Sequence, residues 1–252
     1  MRTLLKPLRW LYVVYALLLF IVLMIPVFIW SVVVLPLGRI RSGNLIYCAC
    51  MLWGDVWFFL IFIRHKNIFE TPIRAAQSYI FIGNHISYLD TPTIVKAVRR
   101  PVRPLGKVEM TRLPIFGFIY KNVIVTVDRT STANRARSVQ VLKSLLRKGI
   151  SVLVFPEGTF NETGKPLAPF YDGAFRIAIE TGTPIKPMLF LDTYKRMHYN
   201  SVFSLNPGRS RCIFLDEIAT AGLTLNDVTW LKEKVHHTMW QKAIVYNAAW
   251  IE

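Results

Sequence analysis

Hydrophobic residues in this chain fall into two long uncharged runs and then into short blocks separated by polar residues. Trp10 to Leu37 is interrupted by Pro26 and Ser31 and is long enough to cross a bilayer. It is too long for the apolar core of a secretory signal and lacks a small-residue cleavage site, so it reads as a retained anchor. Leu45 to Ile63 is a second run, with Asp55 near its middle. A carboxylate at mid-bilayer costs about 2.5 to 3.5 kcal/mol on insertion scales. This run is therefore expected against the protein body or in the interface. Beyond it, short apolar blocks predict strands at 78–83, 123–127, 151–155, 185–191 and 211–216. Helical spacing predicts helices at 92–99, 111–120, 132–148, 173–181 and 225–247, the third capped by Ser131 or Thr132 and stopped by Gly149. The alternation predicts an α/β fold, a mixed sheet flanked by helices, with an N-terminal membrane-embedded helical hairpin. The expected division is 1–66 as the two-helix anchor and 67–252 as the body.

Composition sharpens the membrane reading. The 252 residues are 53% hydrophobic and carry a net charge of +16. That charge calls for an anionic membrane surface or nucleic acid. No helix-turn-helix, zinc finger or aromatic RNA-binding signature accompanies it, so the expected partner is the membrane and not nucleic acid. Basic residues flank both apolar runs: Arg2, Lys6 and Arg9 before, Arg39 and Arg41 between, Arg64 and Lys66 after. Two true spans would put Arg39 and Arg41 opposite the other clusters, against the positive-inside tendency. A hairpin dipping into one leaflet fits better, with the body on the cytoplasmic face of the inner (plasma) membrane. Cys48, Cys50 and Cys212 make neither a disulfide framework nor a four-ligand zinc set.

Candidate chemistry begins directly after the first body strand, in Asn84-His85-Ile86-Ser87-Tyr88-Leu89-Asp90. Histidine titrates near neutrality and accepts a proton from a hydroxyl, while a carboxylate on its other nitrogen fixes the tautomer. On one helix, positions i and i+5 lie about 140° apart. The pair can meet only if the backbone turns between them, and Pro92 places a helix start there. A second motif, Phe155-Pro156-Glu157-Gly158-Thr159, follows the apolar strand Ser151–Val154. Its polar residues emerge at a strand end, where open α/β sheets bind ligands.

Together these motifs resemble the glycerolipid acyltransferase family typified by lysophosphatidic acid acyltransferase, over about residues 75 to 220. Lys107-Val108-Glu109-Met110 and the segment ending in Asp128-Arg129 are similar to two further family blocks, and Thr183-Pro184-Ile185-Lys186-Pro187 to a fourth. Two departures stand out. Val123 and Thr126 replace a Gly and an aromatic, and Phe160-Asn161 replaces the Arg-Ser that follows the Glu157 motif in many phosphatidic-acid-forming members.

The resemblance implies transfer of a fatty acyl group from acyl-CoA or acyl carrier protein to the sn-2 hydroxyl of 1-acylglycerol-3-phosphate. His85 would act as base and Asp90 as its orienter. Lys107, Arg129, Glu157, Gly158 and Thr159 would contact the acceptor or its phosphate, with Lys165 and Lys186 as less specific cations. Pro184 and Pro187 would line the acyl or acceptor site. Amides near Thr91 or Gly158 are candidates for the oxyanion. No metal or organic cofactor is implied. Ser87 is the covalent alternative, but the chain has no G-x-S-x-G elbow. Competing readings are an O-acyltransferase on another lysolipid, a non-catalytic lipid- or nucleic-acid-binding protein, and a lipid hydrolase.

Overall fold

A computed structural model of the chain describes residues 5–128 and 131–251. The first apolar run forms α1 (Leu5–Val34) and the second lies within α2 (Arg39–Leu60). Gly38, at φ +84°, lets the chain reverse between them. Both helices are long and apolar enough to cross a membrane, by length and composition. They pack as a hairpin, with Val13 and Ala16 buried and Leu11, Leu18 and Ile21 exposed. The fully buried Trp57 donates its Nε1–H to the Ala16 carbonyl at 2.9 Å.

Strands β1 (Ile63–Phe69), β2 (Ile80–Gly83), β3 (Val102–Lys107), β4 (Val125–Val127), β5 (Ser151–Val154), β6 (Ile185–Phe190) and β7 (Gly208–Phe214) follow. Among the described residues they form one sheet in the order β1-β7-β6-β2-β5-β3-β4. Only the β6–β7 pairing is antiparallel. The carboxyl ends of β2 through β6 therefore share one edge. Helices α3 (Asp90–Ala97), α4 (Phe116–Val123), α5 (Thr132–Arg147), α6 (Gly173–Thr181), α7 (Thr193–Arg196) and α8 (Val228–Val245) complete the described elements.

The sheet separates two cores. Phe81 packs with α1 to α4 on one face, while Ile80 and Ile82 pack with Leu142, Phe175 and Leu231 of α5, α6 and α8 on the other. A strand buried on both faces is apolar throughout, which is why β2, β5 and β6 are readable as runs.

The structure differs from the sequence expectations in three places. β1, Ile-Arg-His-Lys-Asn-Ile-Phe, and β3, Val-Arg-Pro-Leu-Gly-Lys, carry too many polar or turn residues to read as strands. The cut expected between residues 66 and 67 falls inside β1. α4 starts at Phe116, because Val108–Arg112 forms a 3₁₀ turn. The second apolar run meets the body at Asp55: Arg99 holds both its oxygens at 2.8 and 3.1 Å, and Lys96 pairs with it as well. These partners come from α3 and its C-terminal flank, so the pairing docks α2 onto the body.

Candidate active site

β2 delivers His85 to the shared carboxyl edge, and the backbone on both sides of it is tied down. Asn84 pins the strand end to β6, donating Nδ2–H to the Phe190 carbonyl at 3.3 Å and accepting the Phe190 N–H at 2.8 Å. The His85 N–H donates to Glu157 Oε1 at 2.8 Å, and its carbonyl accepts the Asn161 N–H at 2.7 Å. Gly83 leaves room for the Phe155 ring, which would lie 3.0 Å from an added Cβ.

The turn after His85 solves the five-residue spacing. Asp90, the first residue of α3 and fully buried, accepts three donors on Oδ2: His85 Nδ1 at 2.9 Å, Ile86 N–H at 2.7 Å and Ser87 N–H at 2.8 Å. A carboxylate only accepts, so Nδ1 carries the proton and the Nε2 of a neutral ring is left as the acceptor. Nε2 makes no hydrogen bond among the described residues, and the side chain is 20% exposed. The imidazole stacks on Phe155 at 4.3 Å and meets Phe160 on a tilt at 4.4 Å. Ser87 is fully buried, its Oγ donating to the Met197 carbonyl and accepting the Leu89 N–H. That hydroxyl is not presented to a substrate.

Glu157 follows β5 and is 3% exposed. Its two oxygens accept the N–H groups of His85 and Ala168, each at 2.8 Å. They are occupied by backbone and do not point outward to an acceptor hydroxyl. Glu157 thereby holds two loops together and fixes the His85 backbone. Burial pushes its pKa up to about 8, against the pull of the two amides. An unfolded glutamate titrates near about 4.3, so between that value and about 8 the native state binds the extra proton. Stability falls as pH rises through this window and levels off above it. Buried His65, pushed down to about 4, titrates in the unfolded chain near about 6.5 and adds a rising slope only below that. The expected result is a wild-type melting temperature that declines from pH 7 to 8. Glu157→Gln should be less stable at pH 6, having set an amide N–H₂ against a backbone donor, and should show a flat profile from pH 7 to 8. Parallel profiles would refute the assignment.

The other expected site residues divide by position. Gly158, at φ +75°, closes the turn by donating its N–H to the Phe155 carbonyl at 3.1 Å. Thr159 and Lys107 are exposed at the same sheet edge as His85. Arg129 lies outside the described residues. Pro184 precedes β6 at the opposite end of the sheet, its carbonyl accepting the Ile80 N–H. Pro187 is buried within β6. Neither proline joins the His85 cluster. Lys186 is fully buried, and its Nζ donates to the carbonyl and Oγ1 of Thr71 at 2.9 and 2.8 Å.

Sequence reasoning passed over Phe155 and Phe160 as site residues, although both flank the Glu157 motif. It also missed a cavity of about 400 Å³ between the sheet and helices α5 and α6. Val127, Leu142, Val154 and Ile177 give it an apolar interior, with Arg135 and Gly158 among its walls. Phe155 and Pro156 line it as well, at the end of β5.

The family model Acyltransferase matches residues 64–191. The 1-acyl-sn-glycerol-3-phosphate acyltransferase of Cocos nucifera is 27% identical over 229 residues, 86% of this chain and 68% of that protein. The enzyme of that name from Haemophilus influenzae is 31% identical over 163 residues, 64% of this chain and 66% of that protein. The 1-acyl-sn-glycerophosphate (LPA) acyltransferase PlsC of Thermotoga maritima, a crystal structure, superimposes with a TM-score of 0.77 over 100% of both chains. At 21% identity that likeness concerns the fold. With half of its length matched by the family model and the His85 and Glu157 motifs joined at one sheet edge, the chain belongs to the Acyltransferase family.

Proposed function

We propose that this protein transfers a fatty acyl group from a thioester, acyl-CoA or acyl carrier protein, to the sn-2 hydroxyl of 1-acylglycerol-3-phosphate, giving phosphatidic acid in phospholipid biosynthesis. The observation that carries the reading is the 2.9 Å bond from His85 Nδ1 to Asp90, which leaves Nε2 as a proton acceptor at the open edge of the sheet. The names of the curated relatives point to the acceptor.

In the reaction, His85 Nε2 takes the hydroxyl proton as the oxygen attacks the thioester carbonyl. Asp90 stabilises the imidazolium that forms. The tetrahedral intermediate then collapses, the C–S bond breaks, and the imidazolium returns its proton to the departing thiolate. Lys107 and Arg129 are the candidate phosphate ligands, with Gly158 and Thr159 beside the acceptor. The apolar cavity between the sheet and helices α5 and α6 has a lining suited to an acyl chain. Helices α1 and α2 anchor the protein as a hairpin in one leaflet, and the body, from β1 onward, faces the cytoplasm. Both lysolipid and product reside in the bilayer, so the anchor replaces a three-dimensional search.

Phe160 favours a second reading, the same chemistry on another lysolipid. It packs on His85, at the position where the family resemblance implies an arginine in many phosphatidic-acid-forming members. A panel of radiolabelled lysolipids presented with acyl-CoA to the full-length protein separates the two. The expected outcome is highest kcat/KM with 1-acylglycerol-3-phosphate. A higher value with a neutral or zwitterionic lysolipid would replace the proposed acceptor.

A further inference from the structure

The segment 197–206, between α7 and β7, touches the catalytic cluster at one end and the exposed face of α1 at the other. At the cluster, the Met197 carbonyl accepts from Ser87 Oγ, and the Tyr199 ring stacks 6.2 Å from Phe160, which in turn lies against His85. Hydrogen bonds and ring contacts tie the segment to itself and to α7. His198 donates its N–H to Ser204 Oγ at 2.6 Å, its ring lies 4.2 Å from Tyr199, and its Nε2 bonds the Tyr194 hydroxyl at 2.9 Å. Asn206 donates Nδ2–H to the Lys195 carbonyl at 2.7 Å.

At the far end the contacts change partner. The Phe203 ring lies 5.3 Å from Trp10, and Arg9 donates to the Ser204 carbonyl at 3.3 Å. Phe203 and Trp10 are 49% and 56% exposed, and they continue the apolar outer face of α1 formed by Leu11 and Val14. A single exposed apolar residue needs no explanation, whereas a contiguous patch marks a contact surface. Arg9 supplies a cation at this corner, and Arg64 and Arg209, register partners near the start of β1 and β7, are exposed as well, Arg209 lying 3.7 Å from Asp192. Aromatic rings with neighbouring cations are what an anionic membrane interface accommodates.

We propose that segment 197–206 is a second membrane contact, in which Phe203 enters the interfacial layer of an anionic bilayer beside Trp10 and thereby holds the Tyr199–Phe160 wall against His85. The proposal rests on the reading of α1 as an anchor, and it makes the geometry of the site respond to the lipid surface itself. Anchoring by α1 alone would bind the protein to the bilayer without setting that wall.

Two measurements on the full-length protein test it. In Phe203→Cys, with Cys48→Ser removing the exposed native thiol, a bimane probe at 203 should be quenched by vesicles of phosphatidylglycerol and phosphatidylcholine bearing a headgroup-proximal nitroxide. Emission indifferent to those vesicles overturns the contact. In Phe203→Asp, turnover of vesicle-embedded acceptor should fall about tenfold or more, the scale set by burying one Phe side chain. Its sedimentation with vesicles and its turnover of a short-chain acceptor below its micelle concentration should stay unchanged. Equal losses on both acceptors would reduce the segment to a structural part and overturn the coupling. An inactive wild type would instead refute the acyltransferase reading and leave the quenching result standing.

Discussion

Replacing His85 with alanine should lower acyl transfer by about 10² to 10⁴, the contribution of a positioned general base, while the protein stays folded and membrane-bound. The size follows from what alanine removes and what it keeps. It removes Nε2 and the bond to Asp90, but the backbone N–H still donates to Glu157 and the carbonyl still accepts from Asn161. The 155–168 loop therefore keeps its place. Turnover with acyl-CoA and lysophosphatidic acid measures the loss, and circular dichroism and vesicle sedimentation measure what is retained. Activity within a few-fold of wild type would remove His85 from the mechanism.

Asp90→Ala should do damage of another kind. Oδ2 satisfies three buried donors at once, two of them the backbone amides that shape the turn after His85. Each donor stranded without a partner costs about 1 to 3 kcal/mol, so destabilisation of at least about 3 kcal/mol is expected together with a loss of activity exceeding that of His85→Ala. Asp90→Asn separates the two effects. Its amide oxygen can take the place of Oδ2, and its nitrogen then falls where the buried Oδ1 already lacks a partner among the described residues. Stability should recover most of the way, while activity stays reduced by about 10- to 100-fold, because the negative charge opposite the imidazolium is gone. Chemical denaturation with parallel kinetics checks both. An Asp90→Asn enzyme as active as wild type would show that the carboxylate serves the fold alone.

How far the sequence reveals this arrangement depends on whether a residue's partner is near it in the chain. The five-residue spacing of His85 and Asp90, with Pro92 beyond, is local, and it predicts a turn that lets the two side chains meet. The apolar runs of β2, β5 and β6 are local as well, and the expected mixed α/β sheet is the one observed. What escapes is set by partners far away. β1 and β3 bury polar side chains that read as surface: His65 is met by Asn67 and Ser210, and Arg103 by Asn44 at 2.8 Å and the Ile40 carbonyl at 3.2 Å. Asp55 looks intolerable in an apolar helix until Lys96 and Arg99 approach from α3 and its flank. Glu157 is an exposed-looking carboxylate in a turn motif, and only the fold brings the His85 and Ala168 amides to it. Phe160 reads as a missing cation, while its position against the imidazole appears only in three dimensions.

The central claim is direct transfer with His85 as the base, and its most direct test follows both products at once. Full-length protein in anionic vesicles is mixed with labelled acyl-CoA, and phosphatidic acid and free thiol are quantified by rapid quench. Thiol and phosphatidic acid should appear in equal amounts, only when lysophosphatidic acid is present, with no burst and no acyl group on the protein. Both should be lost together in His85→Ala. Thiol released ahead of phosphatidic acid, or equal yields from His85→Ala, would contradict the account.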